Sequence, residues 1–202
     1  MSWYIILTII SFLICLSACL YHFIKIIRLG KPNDFSEPVG NVSCAIAYSF
    51  TAGMSPKKKE SAYLHLPTYT AGIIYHLGTF LSIALFFIFL ADINLSLAIN
   101  VVSSILLFIS GCCGIGILIK RIVKKEFKLL SNPDDYISNV LVTVFQLITA
   151  YSLLYFTPLY FVYASILLLY LPVGKLKHAI YFFAARYHLG FFYGRRGIWP
   201  PK

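Results

Sequence analysis

The 202-residue chain is 59% hydrophobic and 17% aromatic, and only 12% of it is charged, against about 25% in a typical soluble domain. So few polar side chains cannot cover a body of this size in water, which excludes a soluble enzyme, a disordered chain and a disulfide scaffold. The formal charge of +10 would suit a nucleic-acid binder. Here, however, the basic residues flank apolar blocks about 20 residues long, the length that crosses about 30 Å of hydrocarbon. The composition describes an integral membrane protein in contact with lipid, with no nucleic-acid partner.

Five spanning helices are predicted, making one all-α membrane domain over residues 1–202. The first runs from Trp3 to Ile27, and the second from Pro67 to Leu90. The third is Leu95 to Ile119, the fourth Tyr136 to Phe156, and the fifth starts at Leu159 and reaches residue 185, before a basic tail over 186–202. Pro67 and Pro158 fall where a first helical turn tolerates a missing N–H, and Pro172 is expected to kink the fifth helix.

The 17 Lys and Arg residues fall in three regions, Lys25 to Lys59, Lys120 to Lys128 and Lys175 to Lys202. The connections at Asp92 to Asn94 and at Thr157 and Pro158 have none. By the positive-inside rule the first loop, the third loop and the C-terminus are cytoplasmic and the N-terminus is outside. This is a multi-pass topology for the inner membrane. Lys25 and Arg28 follow the first apolar run and no basic residue precedes it, so an uncleaved span is expected rather than a cleavable leader. Lys57, Lys58, Lys59 and Lys120 to Lys128 read as topology determinants and contacts to anionic lipid.

No catalytic constellation is evident: there is no Ser–His–Asp arrangement, Walker loop, zinc motif or buried carboxylate pair. The five Cys show no metal spacing, and adjacent Cys112 and Cys113 read as reduced packing residues. The histidines are the informative groups, because ionisable side chains at membrane depth are costly. His76 lies nine residues into the second predicted helix, about 13 Å along its axis. With Arg186 as the inner boundary of the fifth, His178 lies eight residues inside, about 12 Å deep. Two His at matched depth on antiparallel helices can ligate one iron from opposite sides. Gly72 and Gly174 each precede one of these His by a helical turn, giving the clearance a flat porphyrin needs. Glycine is also common in membrane helices for plain packing, and separate structural histidines are the alternative. His65 and His188 form a second conceivable pair, with interfacial positions as the competing reading; His22, near Lys25, reads as an interface residue.

Three short motifs carry a family resemblance: Tyr75-His76-Leu77-Gly78, Lys120-Arg121 at the end of the third helix, and Pro172-Val173-Gly174-Lys175-Leu176-Lys177-His178. With the helix order, they make the chain resemble the haem-b membrane subunit (gamma subunit) of respiratory nitrate reductase and related membrane cytochromes. In that family helices two and five each carry two His and hold two stacked haems. The resemblance implies one haem b here, on the cytoplasmic side, with His76 and His178 as axial ligands. The family's other ligand positions correspond to Phe86 and Tyr160, so the second haem is not implied; His65 and His188 leave a different one conceivable. Lys175, Lys177 and Arg186 are expected partners for haem propionates.

The expected function is therefore an electron-transfer subunit, non-catalytic by itself. It would relay electrons between a quinone or another membrane donor and a cytoplasmic redox partner within a larger complex. The competing expectation is a haem-free scaffold or anchor subunit with structural histidines.

Overall fold

A computed structural model describes residues 2–29, 35, 37–55 and 65–201. Lys31, Lys57, Lys58, Lys59 and Lys202 lie outside the described residues. In chain order the helices are α1 (Trp3–Leu29), α2 (Val42–Phe50), α3 (Leu66–Leu90), α4 (Leu97–Val123), α5 (Lys125–Leu129), α6 (Pro133–Ser152), α7 (Leu159–Tyr170) and α8 (His178–Arg195), with short 3-10 turns at Ala52–Met54 and Lys175–Lys177. No strand occurs among the described residues. Three helices, α1, α3 and α4, are long and apolar enough to cross a membrane, and α7 with the Lys175–Arg195 segment makes a fourth if the two are taken as one broken span.

The chain forms two compact units where the sequence suggests one domain: residues Met1–Cys15 with His65–Leu176, and residues Leu16–Leu64 with Lys177–Lys202. In the larger unit α4 packs along α3 and α6, and α6 also packs along α7 and α3. One core is a set of rings, Phe86, Phe145, Tyr160 and Phe161, closed by Ala164. Tyr160 meets Phe89 edge-on at 4.9 Å between ring centroids and stacks on Phe145 at 5.7 Å. A second core joins Leu85, Leu107, Ala150 and Leu153.

Most of the rest of that interior is polar. Thr8, Ser11, Ser82, Ser110, Thr143, Gln146 and Thr149 are buried, whereas Leu77, Phe80, Ile83, Phe87 and Phe108 are exposed. Lipid tails are as apolar as leucine, so helices in a bilayer gain nothing by hiding leucine from them. Small residues and interhelical hydrogen bonds hold such helices together instead. Thr8 illustrates this: its Oγ1 lies 3.0 Å from the Phe161 carbonyl and 3.0 Å from Ser165 Oγ. The same logic explains why α6 is less apolar than the three candidate spans. Its buried face carries Ser138, Thr143, Gln146 and Thr149.

Helix α6 starts at Pro133, earlier than the sequence suggests. Asn132 and Asp135 form a reciprocal capping box there, each side chain accepting the other's backbone N–H at 3.0 Å. It ends at Ser152, short of the expected Phe156.

The largest departure is at the fifth predicted helix, which is not continuous. Proline lacks the N–H that would continue the helix and its ring crowds the carbonyl four residues back. At Pro172 the chain accordingly leaves the helix, and the Val173 and Gly174 N–H groups both turn back onto the Tyr170 carbonyl, at 3.1 and 2.8 Å. Helix restarts only at His178. The expected basic tail is also helical over its first part, since α8 continues to Arg195.

In the smaller unit α2 lies against α8 with almost no side chain between them. A Cβ on Gly190 would meet the Ile46 Cα at 2.5 Å, and one on Gly194 would meet the Val42 Cα at 3.0 Å. Ser49 donates to the Arg186 carbonyl at 2.8 Å, and the Val39 N–H donates to the Arg195 carbonyl at 2.9 Å. Trp199 lies tilted against Tyr193 and edge-on to Tyr48, at 4.7 and 5.4 Å between centroids.

Candidate cofactor-binding residues

Helix α3 is mostly apolar, with several of its few polar and small residues gathered on one side. Tyr75, Gly78, Thr79 and Ser82 share one side at helical spacing. Gly78 and Ser82 are buried, and Gly78 lies directly against Ser110 of α4. The Tyr75 carbonyl accepts from Thr79 Oγ1 at 2.8 Å and from Gln146 Nε2 at 3.1 Å. Ser110 Oγ donates to the Ile74 carbonyl at 3.1 Å, and Gln146 Nε2 also donates to Thr79 Oγ1 at 2.9 Å. The Tyr75 hydroxyl lies 3.1 Å from both the Asn139 carbonyl and Thr143 Oγ1.

His76 follows Tyr75 by one residue, about 100° further round the helix, and is exposed. Gly72, one turn earlier, has nothing within 4 Å of where a Cβ would stand. The pair therefore occupies a side of α3 that no neighbouring helix fills at Gly72. Gly72 thus leaves open space one helical turn from the exposed His76.

His178 is the exposed first residue of α8 in the smaller unit. It does not sit mid-helix, so the depth counted along one continuous fifth helix does not follow. Gly174 departs from expectation too. It precedes the helix and is buried, and the Tyr170 ring fills the space its missing Cβ leaves. Its clearance serves an aromatic side chain of this chain.

Lys175 is likewise engaged. Its ammonium bonds Asp135, whose carboxylate also lies 3.2 Å from Arg121 Nη1. Burial alone would raise the Asp135 pKa. The hydrogen bond from Lys175, the backbone N–H of Asn132 and the charges of Lys175 and Arg121 outweigh it and hold the carboxyl below its usual range. Arg186 is half-buried in the smaller unit, its guanidinium 5.5 Å from the Phe182 ring centroid.

The second conceivable pair divides similarly. His65 is the exposed residue preceding α3 in the larger unit. His188 is half-buried on α8, and its Nε2 is buried with no hydrogen-bond partner among the described residues. His22 lies 6.5 Å from the Tyr181 ring within the smaller unit. Phe86 and Tyr160 are both members of the buried ring core, 5% and 1% exposed. Among the described residues no three of His, Cys, Asp and Glu gather as a metal-binding group. No protein-family model, curated protein or solved structure matches the chain.

Sequence reasoning missed Gln146, Thr79 and Ser110 as the groups that hydrogen-bond the turn of α3 carrying His76. The signal was present in Gln146, a long polar side chain inside an apolar block. It also missed Asp135, although Asn132-x-x-Asp135 has the spacing of a reciprocal helix cap.

Proposed function

We propose that the chain is a haem b-binding electron-transfer subunit of a membrane oxidoreductase, similar to the gamma subunit of respiratory nitrate reductase. His76 and His178 would be the axial ligands. The observation that carries this reading is the exposed side of α3, where His76 and the open backbone at Gly72 lie together. The proposed topology is five spans, N-terminus outside and C-terminus in the cytoplasm of an inner-membrane protein. Its support is the clustering of Lys120, Arg121 and Lys125 to Lys128 after one span and of Lys25 and Arg28 after another.

Bound haem supplies a one-electron carrier, and two imidazole ligands favour electron transfer over oxygen binding. The residues of the chain do the rest. His76 presents an imidazole from a helix whose rotation is fixed, and Gly72 leaves room beside it. His178 offers a second imidazole where α8 begins. Arg186, with its charge stacked on Phe182, is the better propionate partner, because Lys175 already serves Asp135. Cytoplasmic-side partner subunits and a membrane donor such as a quinone complete the proposed relay.

A visible spectrum of the detergent-purified protein tests this. Low-spin haem at one per chain is expected, lost in both His76→Ala and His178→Ala, and largely intact in His65→Ala and His188→Ala. A colourless preparation would support the haem-free scaffold instead. Two haems per chain, with one lost in His188→Ala, would make the second pair real.

A further inference from the structure

Gln146 sits at the centre of α6, fully buried, and spends both amide hydrogens on one turn of a neighbouring helix. One goes to the Tyr75 carbonyl at 3.1 Å and the other to Thr79 Oγ1 at 2.9 Å. Thr79 donates in turn to that same carbonyl. The amide cannot be reversed without setting its oxygen against a carbonyl oxygen, so the bonding fixes its orientation. The turn being gripped is the one that carries His76.

Resting on the haem reading above, we propose that Gln146 is a positioning residue for the iron ligand. Together with Thr79 it sets the rotation of α3 and hence the direction of the His76 imidazole. Ser110, bonded to the Ile74 carbonyl, and the Tyr75 hydroxyl hold the same side of α3, but Gln146 is the group that takes two bonds on the His76 turn itself. Leu77, Phe80, Ile83 and Phe87 are exposed along one side of it, and in hydrocarbon burying that apolar side instead would gain little, so polar bonds carry much of the choice. A side chain reaches about 6 Å from a helix axis, so a rotation of about 20° moves its tip by about 2 Å. That is large against the roughly 0.2 Å tolerance of a metal–ligand bond. Hydrogen bonds that fix ligand orientation commonly change metal affinity by about 10- to 100-fold when removed.

The test compares Gln146→Leu, Gln146→Glu and Thr79→Val with the unaltered protein. Haem per chain, the largest g value of the low-spin electron paramagnetic resonance signal, and the reduction potential are measured. Gln146→Leu is expected to shift both the g value and the potential and to weaken haem retention by roughly tenfold. Gln146→Glu, protonated when buried and left with one O–H donor, should fall between Leu and the native residue. Thr79→Val should shift the same signals in the same direction, which keeps the test valid should Gln146→Leu not fold. Thr8→Val is the control. It removes buried hydrogen bonds to Phe161 and Ser165 in the same unit, so it should lower stability and leave the g value in place.

Haem retained with unchanged g value and potential in Gln146→Leu and Thr79→Val would overturn the positioning role while leaving the haem reading intact. Equal spectral shifts in Thr8→Val would also overturn it, since general loosening would then suffice. No haem in the unaltered protein would remove both proposals together.

Discussion

The larger and smaller units are held together by different means. In the larger, side chains bridge the helices: Gln146 to Tyr75 and Thr79, Ser110 to Ile74, Thr8 to Phe161 and Ser165. In the smaller, besides the Ser49 bond to Arg186, backbone comes close to backbone, with Gly190 against Ile46 and Gly194 against Val42. A side-chain bridge has some freedom to adjust, whereas a backbone contact has none. Tolerance of the same substitution should therefore differ most between close backbone contacts, such as Gly190 in the smaller unit, and the open side of α3 at Gly72 in the larger.

Glycine to alanine is the cleanest way to break that contrast. At Gly190 the new methyl would collide with the Ile46 Cα and N, and overpacking of this kind costs about 1–3 kcal/mol. Gly190→Ala should loosen α2 from α8. Fluorescence of Trp199, which packs on Tyr48 and Tyr193, should report a lower melting temperature in a Trp3→Phe background. An unchanged melt would mean that the close approach is not what holds this unit.

Asp135 gives the next effect. Removing one partner of a fully buried ion pair costs about 3–5 kcal/mol. The Lys175 side chain is 50% exposed, so roughly 2 kcal/mol is expected for Asp135→Ala. Asp135→Asn should lose less, because its side-chain oxygen can still accept the Asn132 N–H. The pH dependence follows from the lowered folded-state pKa. The stabilisation is fully present above the unfolded carboxyl value of about 4. It fades as pH falls through the lower folded value, since the unfolded chain takes up the proton first. Melting temperature should drop below about pH 4 in the native protein and depend less on pH there in Asp135→Asn. Matching pH profiles would deny the ion cluster its role.

Gly72→Ala should have the smallest effect and the opposite sign to Gly190→Ala. With nothing within 4 Å of the added methyl, the helix gains up to about 1 kcal/mol from alanine's higher propensity. A melt of the haem-free protein should rise slightly. Under the haem reading the same methyl intrudes on the porphyrin's clearance, so haem content should fall while stability does not. Unchanged haem content would deny Gly72 the clearance role.

How much of this was legible beforehand depended on the kind of information each feature needs. The apolar blocks of α1, α3 and α4 follow from composition, because only helices with every backbone group paired within the segment suit a 20-residue run in hydrocarbon. The helix start near Pro67 and the disturbance at Pro172 follow from local covalent chemistry. Whether a proline kinks a helix or ends it depends on what receives the freed groups. Here Tyr170 takes the N–H groups of Val173 and Gly174, and the helix ends. Counting residues could not reveal that, so the depth assigned to His178 failed with the continuous helix it assumed.

The candidate site divides along the same line. That His76 stands one turn after Gly72 on an apolar helix is written in the sequence. Which way that side of α3 faces is only half written there: Tyr75, Gly78, Thr79 and Ser82 mark a polar and small side, but not the helices that side meets. Partners distant in sequence decide it, Ser110 on α4 and Gln146 on α6. Gly174 and Lys175 looked equivalent to Gly72 and Arg186 as sequence. Packing assigned them instead to the Tyr170 ring and the Asp135 carboxylate. The sequence by itself determined that helices form, where proline interrupts them, and that their outer surfaces are apolar. These are local consequences of side-chain chemistry and chain geometry. Tertiary structure alone decided which polar groups meet across the helices, because those bonds join residues far apart in sequence, such as Ser110 with Ile74 and Gln146 with Tyr75.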